Sequence, residues 1–112
     1  MTEFSTQTLD NGIEVIRPAR RLNMVSAPRL SAAVAELIAS GRARIVIDLS
    51  ETEFIDSSGL GALVSCLKKA RQAGGDLRIA GPSEQARTVF RLTNLDRVLK
   101  TVPTAEAAAA AF

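Results

Sequence analysis

Between Arg44 and Leu49 the chain reads Arg-Ile-Val-Ile-Asp-Leu, with apolar β-branched residues at consecutive rather than alternate positions. Such a run buries both faces, so it is expected to form the central strand of a sheet covered on two sides. Upstream, apolar and polar residues largely alternate over Glu3 to Leu9 and again over Ile13 to Arg17, with Asp10-Asn11-Gly12 between them. This predicts an antiparallel β-hairpin whose Asn-Gly pair supplies the positive φ angles of a tight type I′ turn. From Pro28 the period changes to that of a helix, with Leu30, Ala33, Val34, Leu37 and Ile38 on one face. Ser26 or Ala27 is expected to precede this helix, Pro28 fits its first turn, and Gly41 suits the left-handed position just past its end.

The same reading places a second helix from about Ser58 to Gly74-Gly75, burying Leu60, Leu63, Val64 and Leu67 with Cys66 beside them. A strand over Asp76 to Ala80 follows, then a third helix opened by Gly81-Pro82-Ser83 with Ala86, Val89 and Phe90 inside. A short strand over Val98 to Val102 comes next, and Thr104-Ala105-Glu106 begins an alanine-rich helix. Strand, helix, strand, helix, strand in succession requires parallel pairing through right-handed crossovers. The expected fold class is therefore α/β. It has a mixed, mostly parallel sheet of about four or five strands, an N-terminal antiparallel hairpin and about four helices, in one domain over residues 1–112.

Composition narrows the chemistry more than the fold. The 112 residues include no His, no Trp, no Tyr and one Cys, so relays built on imidazole and intrachain disulfides are excluded. No catalytic residue, cofactor or metal site is expected, and a single thiol cannot make a Cys-rich zinc centre. A net charge of +2 leaves no strong one-signed field. The basic clusters Arg17, Arg20, Arg21 and Lys68, Lys69, Arg71 carry no interleaved aromatic residues, so nucleic acid is not an expected partner. The opening residues resemble no signal peptide, and no stretch approaches the ~18 apolar residues of a membrane span, so membrane insertion is not expected. The expected location is the cytoplasm.

Residues Ser50 to Gly61 depart from this generic picture. They link the central strand to the second helix, at the C-terminal end of a parallel strand, the end of an open α/β sheet where ligands bind. Asp56, Ser57 and Ser58 are all good N-cap residues, and capping accounts for one of them. With Gly59 and Gly61 behind them, little bulk covers the first-turn amides, and a phosphate would be favoured there by the unpaired N–H groups and the helix dipole. Gly59-Leu60-Gly61 is half of a dinucleotide fingerprint, but Val64 stands where its third glycine belongs. No phosphate-binding G-x-x-x-x-G-K-[ST] loop is present either.

Ile45-Val46-Ile47-Asp48-Leu49, then Phe54-Ile55-Asp56-Ser57-Ser58-Gly59-Leu60-Gly61, then Gly74-Gly75-Asp76-Leu77 together resemble the sulfate-transporter and anti-sigma-factor antagonist (STAS) domain. The likeness is specifically to the free-standing bacterial anti-sigma-factor antagonists, and element order agrees through Phe90-Arg91-Leu92-Thr93-Asn94-Leu95 to the terminal helix. The resemblance implies a partner-switching protein that does no chemistry itself. In that family the first Ser after the Asp, here Ser57, is phosphorylated by the anti-sigma factor, a GHKL-type serine kinase, and dephosphorylated by a PP2C-type phosphatase. The ATP belongs to the kinase. Unmodified antagonist binds the kinase and frees the sigma factor; phosphorylated antagonist lets go. Arg20-Arg21-Leu22-Asn23 stands where the family has Gly-x-Leu-Asp.

The expected docking surface comprises Asn23, Asp56, Ser57, Ser58, Gly59 and Leu60. Asp56 and Glu53 would make it acidic, so that a phosphate adds repulsion. Leu60, if exposed on the first turn, would be its apolar anchor. A monomer or weak dimer is expected. Two other roles remain open for the residues: a scaffold or accessory subunit of a signalling or transport complex, with Ser57 only a helix cap, or a small-ligand or nucleotide-binding module.

Overall fold

Alternation within the strands divides the apolar residues between two faces of one sheet. The computed structural model describes residues 4–9 and 11–112. Its elements are β1 (Ser5–Thr8), β2 (Glu14–Arg17), β3 (Arg21–Leu22), α1 (Ala27–Ala39), β4 (Arg44–Asp48) and β5 (Phe54–Ile55). They continue with α2 (Ser57–Gln72), β6 (Asp76–Ala80), α3 (Glu84–Leu92), a 3-10 turn at Leu95–Arg97, β7 (Thr101–Val102) and α4 (Ala105–Ala110). The main sheet has the order β1-β2-β4-β6-β7, with β1 antiparallel and the rest parallel. The Arg44–Asp48 run lies at its centre as expected.

On one face Ile16, Ile45, Ile47, Leu77 and Ile79 meet Leu30 and Val34 of α1, Leu63, Cys66 and Leu67 of α2, and Phe90 of α3. On the other, Ile13, Val15, Val46 and Ala80 pack under Ala108 and Ala109 of α4. Arg78 adds to that second cover. Its guanidinium donates to the Ala111 carbonyl at 3.1 Å and lies 5.2 Å from the Phe112 ring centre. Burial among apolar neighbours pushes the Cys66 thiol up to about 11, so it acts as a small hydrophobe.

Three expectations need revision. The hairpin is present, with Thr8 paired to Glu14 and the Leu9 amide donating to the Ile13 carbonyl at 2.8 Å, but Asn11-Gly12 does not make a type I′ turn. Gly12 takes positive φ (80°) and Asn11 does not, whereas a type I′ turn requires it at both. Asp10 and Glu3 lie outside the described residues. Glu14 breaks the alternation, for it is 2% exposed. Its carboxylate accepts from Thr8 Oγ1 at 2.7 Å and from Arg42 at 3.1 Å, which satisfies the buried charge. Finally, the strand expected over Val98 to Val102 shortens to Thr101–Val102. Asn94 adopts the left-handed conformation (φ 61°), and the chain turns tightly through Leu95–Arg97 before it can extend.

The α4 cover gives a direct test. Ala108 is fully buried and Ala107 exposed on the same turn. Ala108→Asp is expected to cost about 3 kcal/mol, lowering the thermal midpoint by more than roughly 10 °C, with Ala107→Asp nearly neutral. Equal midpoints for the two variants would contradict this packing.

Candidate functional site

The C-terminal ends of β2 and β4 feed two short strands that sequence periodicity did not reveal. β3 and β5 form a separate two-stranded parallel sheet, pairing Arg21 with Phe54 and Leu22 with Ile55. The Arg20 carbonyl accepts from the Glu53 and Phe54 amides at 2.7 and 3.2 Å, and Thr52 Oγ1 donates to the Ala19 carbonyl at 3.0 Å. The chain before α2 is thereby tied to the chain before α1. The Leu22 carbonyl lies at the junction, accepting from the Asp56 amide at 3.2 Å. The first turn of α2 rests on this carbonyl so closely that a Cβ at position 59 would lie 2.3 Å from its oxygen. Glycine is therefore required at 59 by contact, whereas a Cβ at Gly61 would meet nothing within 4 Å.

This docking fixes the direction of every neighbouring side chain. Asp56 is the N-cap, its carboxylate accepting from the Gly59 amide at 2.9 Å. Ser57 and Ser58 then fall on the first turn, both exposed. Neither hydroxyl has a hydrogen-bond partner among the described residues. Capping thus belongs to Asp56, not to either serine. The helix begins at Ser57, one residue earlier than its apolar period suggested. Leu60 turns inward and is 8% exposed within the main core, which corrects its expected role as an exposed anchor. Gly59 is likewise buried beneath the turn, so the two contribute position rather than contact surface.

Apolar surface comes instead from the loop before α1. Met24 is 73% and Val25 64% exposed, and Phe54 adds a third exposed apolar side chain. Met24, Pro28, Ser31, Ser58 and Gly61 line one shallow cleft of about 410 Å³ between α1 and α2. Arg20, Arg21, Asn23, Val25, Glu53 and Phe54 line an adjoining one of about 810 Å³. The signal was present in the sequence as two apolar residues that fit neither the strand before them nor the helical face after them.

Asn23 is half-buried in this loop and holds it in shape. Its Oδ1 accepts from the Val25 and Ser26 amides at 3.0 and 3.2 Å, and its carbonyl accepts from the Ala27 amide at 2.8 Å. Ser26 Oγ accepts in return from the Asn23 amide at 3.0 Å, the reciprocal arrangement of a capping box. Ser26 is the N-cap of α1 as expected, but its side chain makes no cap hydrogen bond; the side-chain bonds that fix the turn into the helix come from Asn23. Both Asp and Asn carry the accepting oxygen, so Asn23 serves where the resemblance implies Asp. Arg20 fits the family's glycine position because it does not adopt positive φ.

Charge at the site is more balanced than expected. Glu53 pairs with Arg20, both on the surface, and the hydrogen bond from the guanidinium holds the Glu53 carboxyl below the usual carboxylate range. Asp56 spends one oxygen on its cap. Among the described residues no cluster of metal-ligating side chains occurs, and no helix is long and apolar enough to cross a membrane.

Comparison with known proteins decides the family. The sequence profile of the STAS domain matches residues 6–108. The chain belongs to the STAS domain family. A Thermotoga maritima chain assigned as an anti-sigma factor antagonist is 34% identical over 93 residues, 82% of each chain. Its crystal structure superposes with a TM-score of 0.87 at 32% identity, over 96% of this chain and 92% of that one. The anti-sigma-B factor antagonist of Staphylococcus aureus is 30% identical over 92 residues, 82% of this chain and 84% of that one. The fold is also that of the Bacillus protein SpoIIAA at 21–22% identity. TM-scores are 0.74 for its unphosphorylated form (96% of this chain, 94% of that one) and 0.75 for its phosphorylated form (97% and 99%). Among STAS domains this chain thus groups with the antagonists.

Two pairs of substitutions test the STAS site geometry. Gly59→Ala must displace the Leu22 carbonyl and is expected to cost about 1–3 kcal/mol, while Gly61→Ala is neutral or stabilising by up to about 1 kcal/mol. Asn23→Ala is expected to cost about 1 kcal/mol through the lost bonds to the Val25 and Ser26 amides, and Asn23→Asp to retain them. Urea denaturation distinguishes them, and a Gly59→Ala protein as stable as Gly61→Ala would refute the close contact.

Proposed function

We propose that this STAS domain is an anti-sigma-factor antagonist that works by partner switching, with Ser57 as its phosphorylation site. The observation that carries this reading is the state of the Ser57 hydroxyl: exposed and unbonded, on the first turn of a helix already capped by Asp56. A serine with no structural duty can be modified without loss of the fold. Phosphate adds roughly −1.5 to −2 charges. At the first turn of α2, which carries no acidic residue of its own, the helix dipole favours that charge. The cost therefore falls on the complex, where the dianion must be desolvated against a partner.

In this reading the partner is an anti-sigma factor with GHKL-type serine kinase activity, which supplies the ATP, and a PP2C-type phosphatase restores the hydroxyl. The chain is a substrate and a ligand, not a catalyst, and works in the cytoplasm. The docking surface is Ser57 and Ser58 together with the rigid Asn23 loop, whose Met24 and Val25 take the anchoring role expected of Leu60. Gly59 and Asp56 hold the turn in place.

The test is to incubate the protein with the candidate kinase and ATP, locate the phosphate by mass spectrometry, and titrate unmodified, Ser57→Ala and Ser57→Asp proteins against the kinase. The Ala form should bind like the unmodified one and take no phosphate. The Asp form should lose on the order of 2–5 kcal/mol of binding, at least about 30-fold in Kd, while its thermal midpoint stays within a few degrees. Phosphate on no residue, with equal affinity for all three, would defeat the proposal.

A further inference from the structure

β5 has two edges, and the structure accounts for only one of them through strand pairing. Phe54 and Asp56 direct their amides to β3, so the N–H and C=O of Ile55 between them point the other way. Ile55 is 2% exposed, and water cannot serve these groups freely. An unpaired buried peptide is costly, and a two-residue strand has no further ladder to share the loss. The partner is a single side chain from a distant element. Gln85, on the first turn of α3, accepts from the Ile55 amide with Oε1 at 3.1 Å and donates to the Ile55 carbonyl with Nε2 at 3.0 Å. Its carboxamide thus takes the place of a peptide group in a third strand.

α3 is itself firmly placed, with Ser83 capping it through the Ala86 amide at 3.1 Å and Ala86 and Phe90 buried in the main core. Gln85 is half-buried, and its amide is committed to Ile55 rather than to solvent. Ile55 is the residue immediately before the Asp56 cap and two before Ser57. The carboxamide therefore sets the direction in which the chain enters the first turn of α2.

We propose that Gln85 is a positioning residue for the Ser57 switch, holding the segment 54–56 between α3 and β3 so that the Ser57 hydroxyl is presented in one fixed direction. The inference rests on the reading of Ser57 as the modified residue, and it adds that α3 belongs to the switch. No other side chain type supplies an acceptor and a donor at this reach with the same planar geometry except Asn, which is one methylene shorter. Glu keeps the shape and the acceptor but sets a negative oxygen against the Ile55 carbonyl.

Gln85→Met and Gln85→Glu, with exposed Glu84→Ala as control, provide the test. In the protein alone, hydrogen exchange at the Ile55 amide should accelerate at least roughly tenfold in Gln85→Met and by less in Gln85→Glu, which keeps an acceptor for it, with shifted Ser57 and Ser58 amide resonances in both, and stay unchanged in the control. With kinase and ATP, kcat for Ser57 phosphorylation should fall roughly tenfold while KM stays within about twofold, because the Met24 and Val25 surface is untouched. A purely structural role would lower the thermal midpoint and leave that split absent. Unchanged Ile55 exchange, or unchanged kcat in both variants, overturns the proposal. If the unmodified protein takes no phosphate, the switch reading falls, and this proposal falls with it even where Ile55 exchange responds; phosphorylation that proceeds equally in all variants overturns the role of Gln85 alone.

Discussion

The approach of α2 to the Leu22 carbonyl is the constraint on which the site depends. With hydrogen as its side chain, Gly59 lets the first turn of the helix settle on β3. Once it does so, the Asp56 amide meets that same carbonyl, the Asp56 carboxylate meets the Gly59 amide, and Leu60 has nowhere to point but the core. The two serines are left facing outward. The same contact brings the Asn23 loop beside the turn, so Met24 and Ser58 line one cleft. A single steric allowance at position 59 thereby sets cap, anchor and hydroxyl at once.

The layers were legible in the sequence because they rest on periodicity. The consecutive apolar residues of Ile45 to Ile47 could be buried only at the centre of a sheet. The spacing of Leu30, Val34 and Leu37, and of Leu60, Leu63 and Leu67, gave both inner helical faces. What was not legible depends on contacts between residues far apart in sequence. Strands of two residues, such as Arg21–Leu22 and Phe54–Ile55, show no period at all, and Gln85 is one polar residue on a helix until Ile55 lies beside it. The part Asn23 plays in the turn before α1 was hidden by Ser26, the N-cap itself, whose hydroxyl turns back to the Arg21 carbonyl at 2.7 Å. The sequence pattern did place Leu60 on the inner face. The expectation of an exposed anchor there weighed its place on the first turn above its spacing, and burial decided for the spacing.

The switch attributed to this STAS domain needs a fold that is indifferent to phosphate and a surface that is not. The structure separates these requirements physically. Stability resides in the two apolar layers, in the Asp56 cap and in the Asn23 turn, none of which uses the Ser57 hydroxyl. The surface proposed for recognition is a small exposed area where charge is nearly balanced, since Glu53 is paired with Arg20. A dianion added there meets a neutral, partly apolar setting in the free protein and an unfavourable one in a complex.

The central claim is that phosphate alters the surface without altering the frame. Backbone NMR of the unmodified and Ser57-phosphorylated protein tests it most directly. The account predicts amide shift changes confined to residues 56–60 and the adjoining 23–25 loop, with hydrogen-exchange protection at Asp56 and Gly59 retained. Loss of that protection, or shifts spreading through β3, β5 and α3, would show that the switch acts by releasing the turn and would contradict the account.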